Sequence, residues 1–357
     1  MNAGGAETFL MKIYRHLDKS QYQMDFCINV AEKCFYEDEI NAMGGRIYRI
    51  PPKSENTQEF IRRLTDIVKK NNYEYVMRIT SSAMGFMDLK IAHDAGARVC
   101  AARSSNSSDG KGIKPFIAHR MGRFLYNKYV NVKIAPSDLA AKYTFGNSAY
   151  KKGNVSILHN GVDIDFFSFS EEKRERIRNE LNISDKFVVG HIGRFSKQKN
   201  HSFLLKVFAE IAKERDDAVL LLVGKGELEE EIKAEAAALG IYEKVIFAGV
   251  RTDIPDILSA MDTFLFPSFY EGMPNTVIEA QACGLRCTVS DTITREANIT
   301  GGVDYLSLDL NAKSWAESVL SLPTSRLDSN NSCIENKYDI DSVVKDFVRI
   351  IFREDKP

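Results

Sequence analysis

Short, nearly continuous apolar runs alternate along this chain with longer stretches in which apolar positions recur every three or four residues. The first kind reads as strands buried on both faces, the second as amphipathic helices. In the first half, strands are expected over 24–30, 46–50, 75–79, 98–102, 132–135 and 155–158, with helices over 58–70, 83–95, 115–129 and 139–145. The second half repeats the rhythm, with strands over 188–192, 219–223, 245–248, 263–266, 287–290 and 303–308 and helices over 201–215, 228–239, 254–261 and 276–283. Such alternation predicts an α/β protein with doubly wound parallel sheets, which bind ligands at the carboxyl ends of their strands. The turn signal His159-Asn160-Gly161-Val162-Asp163, followed by a charged helical stretch over 171–181, divides the chain into domains 1–162 and 163–338. A last helical segment over 339–353 is amphipathic through Val343, Val344, Phe347, Ile350 and Ile351, and is expected to seat on the first domain.

Composition narrows the class. A chain of 357 residues with 44% hydrophobic and 27% charged residues is an ordinary globular protein of two-domain size. Its net charge of -1 gives no reason to expect nucleic acid. The six cysteines lie mostly in apolar runs without CxxC spacing, as reduced thiols of a cytoplasmic protein would. No apolar run reaches the roughly 20 residues of a membrane span, and no signal peptide is recognised, so any membrane contact is expected to be peripheral. The six histidines show no HExxH or clustered spacing, and no metal site is expected.

The candidate chemistry centres on Pro267-Ser268-Phe269-Tyr270-Glu271-Gly272-Met273-Pro274-Asn275-Thr276-Val277, which runs on to Glu279. An apolar strand stops at Pro267, and Pro274 precedes Asn275 in a helix-starting order. The amides of Asn275, Thr276 and Val277 should open at the positive end of the helix dipole, a setting that suits phosphate. Glu271 and Glu279 cannot favour the phosphate itself, so they should accept from neutral hydroxyls such as a ribose diol and a sugar. In Gly193-Arg194-Phe195-Ser196-Lys197-Gln198-Lys199, Arg194 and Lys199 flank the start of the next helix, where cations would meet a diphosphate. Gly193 and the Gly224-Lys225-Gly226 loop allow close backbone approach, and no Walker sequence occurs.

In the first half, Gly4 and Gly5 precede a helical pattern in the manner of a ligand-approaching loop, although no residues remain ahead of them for the strand such a loop should follow. The loop from Arg103 through Ser105 and Asn106 to Gly112 is polar and rich in serine and glycine. Asp163-Ile164-Asp165 has the form of a metal-holding pair, but it stands in a linker with no third carboxylate.

Taken in order, Gly-Gly-Ala-Glu at 4–7, Asn160-Gly161-Val162-Asp163, Gly193-Arg194 with Lys199, Gly224-Lys225-Gly226, Phe266-Pro267-Ser268, Glu271 with Glu279 and Ser290-Asp291-Thr292 make the chain resemble the retaining glycosyltransferases of family 4, also called glycosyl transferases group 1. Within that family it is most similar to bacterial enzymes of capsular and exopolysaccharide assembly. The resemblance implies the GT-B architecture, two Rossmann-like domains facing a cleft, and a hexose moved from a nucleotide-sugar donor, UDP-linked by preference, to a saccharide or lipid-linked acceptor. It implies no cofactor and no metal. Arg194 and Lys199 would hold the diphosphate, Glu271 a sugar hydroxyl and Glu279 the ribose. Gly4 and Gly5 would line the cleft beside the diphosphate, and Val250 and Arg251 would lie near the base. Two departures stand out. The first strand of the family is missing ahead of Gly4, and the loop at Arg103, where many relatives carry a histidine, leaves Arg103, Ser105 or Asn106 as the expected sugar contacts. Lys111, Lys114, Phe116, Arg120, Arg123, Phe124, Tyr126 and Lys128 give the first domain a basic and aromatic helix that reads equally as a face toward the inner membrane and as a solvated helix with a buried stripe. A nucleotide-sugar epimerase of the same architecture and a catalytically weak nucleotide-binding scaffold are the competing readings.

Overall fold

A computed structural model describes residues 5–105, 113–271, 273–328 and 337–352. The chain divides into two units, Met1–Gly161 with Ile340–Pro357, and Val162–Asp339.

In the second unit, β7 (Phe187–Ile192), β8 (Ala218–Val223), β9 (Val245–Phe247), β10 (Thr263–Phe266), β11 (Cys287–Ser290) and β12 (Val303–Leu306) form one parallel sheet in the order β12-β11-β10-β7-β8-β9. The strands alternate their side chains between two apolar layers, as period-2 geometry requires. Val188, Leu221, Phe264 and Val289 face one layer, and Phe187, Val189, Leu220 and Leu265 face the other. The first layer is covered by helices Ile164–Phe167, Glu171–Glu180, Ile254–Ala260 and Asn275–Ala282, the second by His201–Glu214, Glu229–Ala238 and Ala312–Ser321. Caps mark several starts: Asp163 accepts from Phe166 N at 3.0 Å and Ser170 from Lys173 N at 3.3 Å. Asp163 is thereby a helix cap.

The first unit departs from the expected single sheet. Strands β1 (Phe26–Ile28) and β2 (Ile47–Arg49) form a separate parallel pair, while β3 (Tyr75–Thr80), β4 (Val99–Ser104), β5 (Val132–Ala135) and β6 (Ser156–Ile157) form a parallel sheet in that order. Among the described residues no strand joins β1 to β3, so the two sheets of this unit stand apart. Helix α1 (Gly5–His16) and the last helix (Ile340–Phe352) pack on one face of the larger sheet through Phe9, Ile13, Val343 and Phe347. Helices α3 (Thr57–Lys70), α4 (Phe86–Asp94) and α6 (Asp138–Phe145) cover the other through Phe60, Leu64, Phe86 and Ala140. Helices α2 (Glu37–Ala42) and α7 (Asn147–Lys151) are short surface elements. Helix α5 (Ile113–Tyr126) docks by Gly122, where a Cβ would stand 2.6 Å from the backbone of Ala83 and Met84.

Candidate functional site

The order of the second sheet places its own crevice. β7 and β10 are neighbours, with Thr263 beside Val189 and Phe264 beside Gly190, and the chain winds away from them in opposite directions. The loops that leave Ile192 and Phe266 therefore diverge at a topological switch point, where doubly wound sheets bind ligands. These two loops are laced together: Phe269 N donates to Gln198 O at 2.9 Å, Gln198 Nε2 to Tyr270 O at 2.8 Å and Asn200 Nδ2 to Pro267 O at 3.1 Å. Asn200 takes a left-handed turn, φ 57°, into the helix that begins at His201. The lacing brings Lys199 Nζ to 2.7 Å from Glu271 Oε1, with the two side chains only 17% and 11% exposed. The same ammonium lies 4.5 Å from the centroid of the Phe266 ring. Two residues 72 apart in sequence are thus one mostly buried ion pair at the crevice.

Backbone lines the floor next to it. Gly193 N donates to Val223 O at 2.9 Å, Gly224 N to Gly249 O at 2.8 Å and Phe195 N to Lys225 O at 3.1 Å, so the ends of β7, β8 and β9 are knit edge to edge. Gly224 has φ +137°, and a Cβ there would stand 2.1 Å from Gly193 O. No other residue fits that position.

Arg194 reaches outward, 3.0 Å from Glu227 and 73% exposed, in a surface pair that holds it weakly. Arg251 is committed elsewhere. Its guanidinium bridges Glu180 at 2.6 Å and Asp253 at 2.6 Å, and these carboxylates raise its pKa further. Of the pair expected beside a base, Val250 is the exposed member.

Helix Asn275–Ala282 carries Glu279, buried to 7% exposure. One expectation is corrected here. Val277 N donates to Pro274 O at 3.1 Å and its side chain is buried in the core, because the first turn closes on Pro274. Asn275 and Thr276 remain half-exposed at the opening of the helix. From β11, Ser290 Oγ donates to Ser268 O at 2.5 Å, and Thr292 Oγ1 to the same oxygen at 3.1 Å. The Ser290-Asp291-Thr292 motif thus braces the Pro267-Ser268 turn.

Sequence reasoning missed the two histidines beneath this site. His191 and His201 meet edge to face with ring centroids 4.8 Å apart, and both are buried. His191 Nδ1 is 2.9 Å from Leu265 O, which fixes the proton on that nitrogen. Burial lowers both pKa values, that of His201 to about 4, with the charge of Lys199 adding to the effect. The rings are therefore neutral and pack under Lys199 without competing for anions. Their signal in the sequence was position: a histidine inside the β7 run and another directly after Lys199-Asn200.

In the first unit, Gly5 is the exposed first residue of α1. Gly4, Asn106 and Lys111 lie outside the described residues. Ser105 N donates to Thr80 O at 3.0 Å. Arg103 is a second correction: β4 runs on through Ser104 and carries Arg103 inside, 2% exposed, stacked 3.6 Å over the ring of Phe9 and bonded to Asn160 Oδ1. Burial pushes its pKa down to about 9. It ties the motif at Asn160 to α1 and offers no surface to a sugar. Among the described residues, no group of three or more His, Cys, Asp or Glu side chains could hold a metal ion, and no helix is long and apolar enough to cross a membrane.

Residues 3–166 match the family described as Glycosyltransferase Family 4, and residues 173–340 that described as Glycosyl transferases group 1. EpsF of Bacillus subtilis (strain 168), which carries the name of a glycosyltransferase, is 34% identical over 325 residues, covering 89% of this chain and 84% of its own. The UDP-Gal:alpha-D-GlcNAc-diphosphoundecaprenol alpha-1,3-galactosyltransferase of Escherichia coli is 34% identical over 165 residues, 44% of this chain and 42% of its own. Among solved structures, Anabaena Alr3699/HepE in complex with UDP and glucose superposes with a TM-score of 0.72 at 18% identity, covering 98% of this chain and 92% of that one, a likeness of fold. With two Rossmann-like units of the GT-B architecture and a full-length relative at this identity, the chain belongs to the family 4 (group 1) glycosyltransferases.

Proposed function

We propose that the protein transfers a hexose from a nucleoside diphosphate sugar, UDP-linked by preference, to a saccharide or lipid-linked saccharide acceptor in cell-surface polysaccharide synthesis, with retention at the anomeric carbon. The observation that carries this reading is the Lys199–Glu271 pair at the switch point, beside a floor of glycine backbone. A diphosphate entering there competes with Glu271 for Lys199, and the carboxylate so released is left to accept from a hydroxyl of the transferred sugar. Arg194, weakly held at the surface, swings in as the second cation. Glu279 accepts from the ribose hydroxyls, and Asn275 and Thr276 face phosphate and sugar. Gly193, Gly224 and Val250 line the donor, while the guanidinium of Arg251 stays with its two carboxylates.

In this scheme Lys199 and Arg194 stabilise the departing diphosphate electrostatically. Attack comes on the face the leaving group vacates, the leaving phosphate takes the acceptor's proton, and no side chain forms a covalent intermediate. The charge is met by protein cations rather than by a metal. The Escherichia coli relative is named for transfer onto a diphosphoundecaprenol-linked sugar, which supports a lipid-linked acceptor and a cytoplasmic, membrane-facing place of action.

The test is a panel of UDP- and GDP-sugars with and without membrane acceptor extracts, in chelator, followed by mass spectrometry. The expected result is acceptor-dependent release of UDP with one added hexose. Isomerised donor without acceptor indicates an epimerase. A lack of binding to every nucleotide overturns the proposal.

A further inference from the structure

Each of the loops that leave β7, β8 and β9 carries a cation near its start: Arg194, Lys225 and Arg251. Arg194 pairs with Glu227 at 3.0 Å, and Arg251 pairs with Glu180 and Asp253 at 2.6 Å each. Among the described residues, the ammonium of Lys225 meets no carboxylate and donates no hydrogen bond, and the residue is exposed. Its root is nevertheless fixed. Lys225 O accepts from Phe195 N at 3.1 Å, and Gly224 N, one residue earlier, donates to Gly249 O at 2.8 Å. Lys225 Cε stands 3.6 Å from where a Cβ on Gly249 would be. The methylene stem therefore lies along the Gly249 backbone and carries the ammonium to the turn Gly249-Val250-Arg251.

That turn suits a flat ring. Val250 exposes its apolar side chain, and among the described residues the amides of Gly249, Val250 and Arg251 donate to no acceptor. β9 stands two strands from β7, about 10 Å, so a nucleotide whose diphosphate meets Lys199 has its base within reach of the turn. Backbone offers donors and acceptors alike and cannot by itself choose between base edges, whereas an ammonium only donates. We propose that Lys225 is a specificity-determining residue of the donor site: its ammonium donates to a carbonyl oxygen on the base edge and so selects uracil, with O4, over cytosine, with an amino group in that place. The inference rests on the donor-site reading above and names the group that makes the site prefer a uridine donor. Cytosine would set donor against donor and leave the ammonium covered without an acceptor, the asymmetry by which a polar site rejects a near-isostere.

The test is calorimetric titration of the full chain, and of its Lys225→Ala and Lys225→Glu variants, with UDP, CDP and inorganic diphosphate. Because Lys225 is exposed, both variants should keep the thermal midpoint. The unaltered chain should bind UDP roughly tenfold or more tightly than CDP. Lys225→Ala should bring the two within about threefold by weakening UDP, with inorganic diphosphate bound as before. Lys225→Glu, whose carboxylate accepts from an amino group, should place CDP ahead of UDP. A preference for UDP that survives Lys225→Ala undiminished overturns the proposal and leaves the donor site standing. Equal loss of UDP, CDP and inorganic diphosphate in that variant moves Lys225 to the phosphates and overturns it too, as does equal binding of UDP and CDP by the unaltered chain. Failure of the unaltered chain to bind any of the three overturns the donor-site reading and this inference with it.

Discussion

Lys199 Nζ lies 2.7 Å from Glu271 Oε1, and because both side chains are mostly buried, each neutralises the other at the crevice of the second sheet. Removing one partner strands a poorly solvated charge. Lys199→Ala should cost roughly 1–3 kcal/mol of stability and lower turnover by about 10²–10³-fold. Glu271→Gln should do the opposite to binding: it frees the ammonium, so UDP binds as well or better while transfer slows. Calorimetric titration with UDP beside product formation separates the two, and equal weakening of UDP binding by both variants would refute the exchange of partners.

Glu279 is buried at 7% exposure on the helix that opens the site. If its carboxylate receives the ribose hydroxyls, Glu279→Ala weakens UDP binding by roughly 1–3 kcal/mol and leaves inorganic diphosphate binding untouched. Competition titrations with both ligands check this.

Among the described residues, Arg194 pairs only with the exposed Glu227. Its removal should leave the urea midpoint unchanged within about 0.5 kcal/mol, since surface pairs contribute little. Transfer should nevertheless fall by at least tenfold, with KM for the donor changing less than kcat. An Arg194→Ala enzyme of full turnover would remove it from the chemistry.

Acid should weaken the second unit through its buried histidines. Burial depresses the pKa of His201 to about 4 and that of His191 also, whereas an unfolded histidine titrates near 6.5. Between those values the unfolded chain binds protons that the folded chain does not. Stability is therefore complete above about pH 6.5 and falls as pH drops toward 4, with a slope of up to about 1.4 kcal/mol per pH unit for each ring. Urea titrations from pH 7.5 to 4.5 measure it. His201→Phe should flatten the curve by one ring's share; an unaltered slope would contradict the assignment.

Helix Ile113–Tyr126 exposes Phe116, Ile117, Met121, Phe124 and Leu125 beside Lys114 and Arg120. Its docked side is held by His119, which accepts from Ala83 N at 3.1 Å. Such a face suits an anionic bilayer. Flotation with vesicles rich in anionic lipid should carry the protein, and Phe124→Ser with Phe116→Ser should abolish it without shifting the thermal midpoint. Flotation that persists in the double variant would place the contact elsewhere.

The strands over 132–135, 263–266 and 287–290 appear at the residues their apolar runs mark, because a run buried on both faces leaves only one placement. The strand over 24–30 is trimmed to Phe26–Ile28, since a strand with one partner is ordered only where its neighbour pairs it. Arg103 misled for a related reason. Its charge signals an exposed loop, and only the packed unit reveals Phe9 and Asn160 waiting for the guanidinium. Val277 was read as an open amide, and the tight turn on Pro274 closed it.

From residue order alone came the alternation of strand and helix, the division near residue 162, the glycine loops and the two glutamates, because periodicity, turn residues and motif spacing are local properties of a chain. What needed three dimensions was every pairing across distance. The order of β7 and β10 made neighbours of Lys199 and Glu271, the edge-to-face contact of His191 with His201 drew two lone histidines together beneath them, and the parting of β1 from β3 opened a cavity. Those relations depend on which strands lie side by side and how apolar layers close over them, and no stretch of sequence carries that by itself.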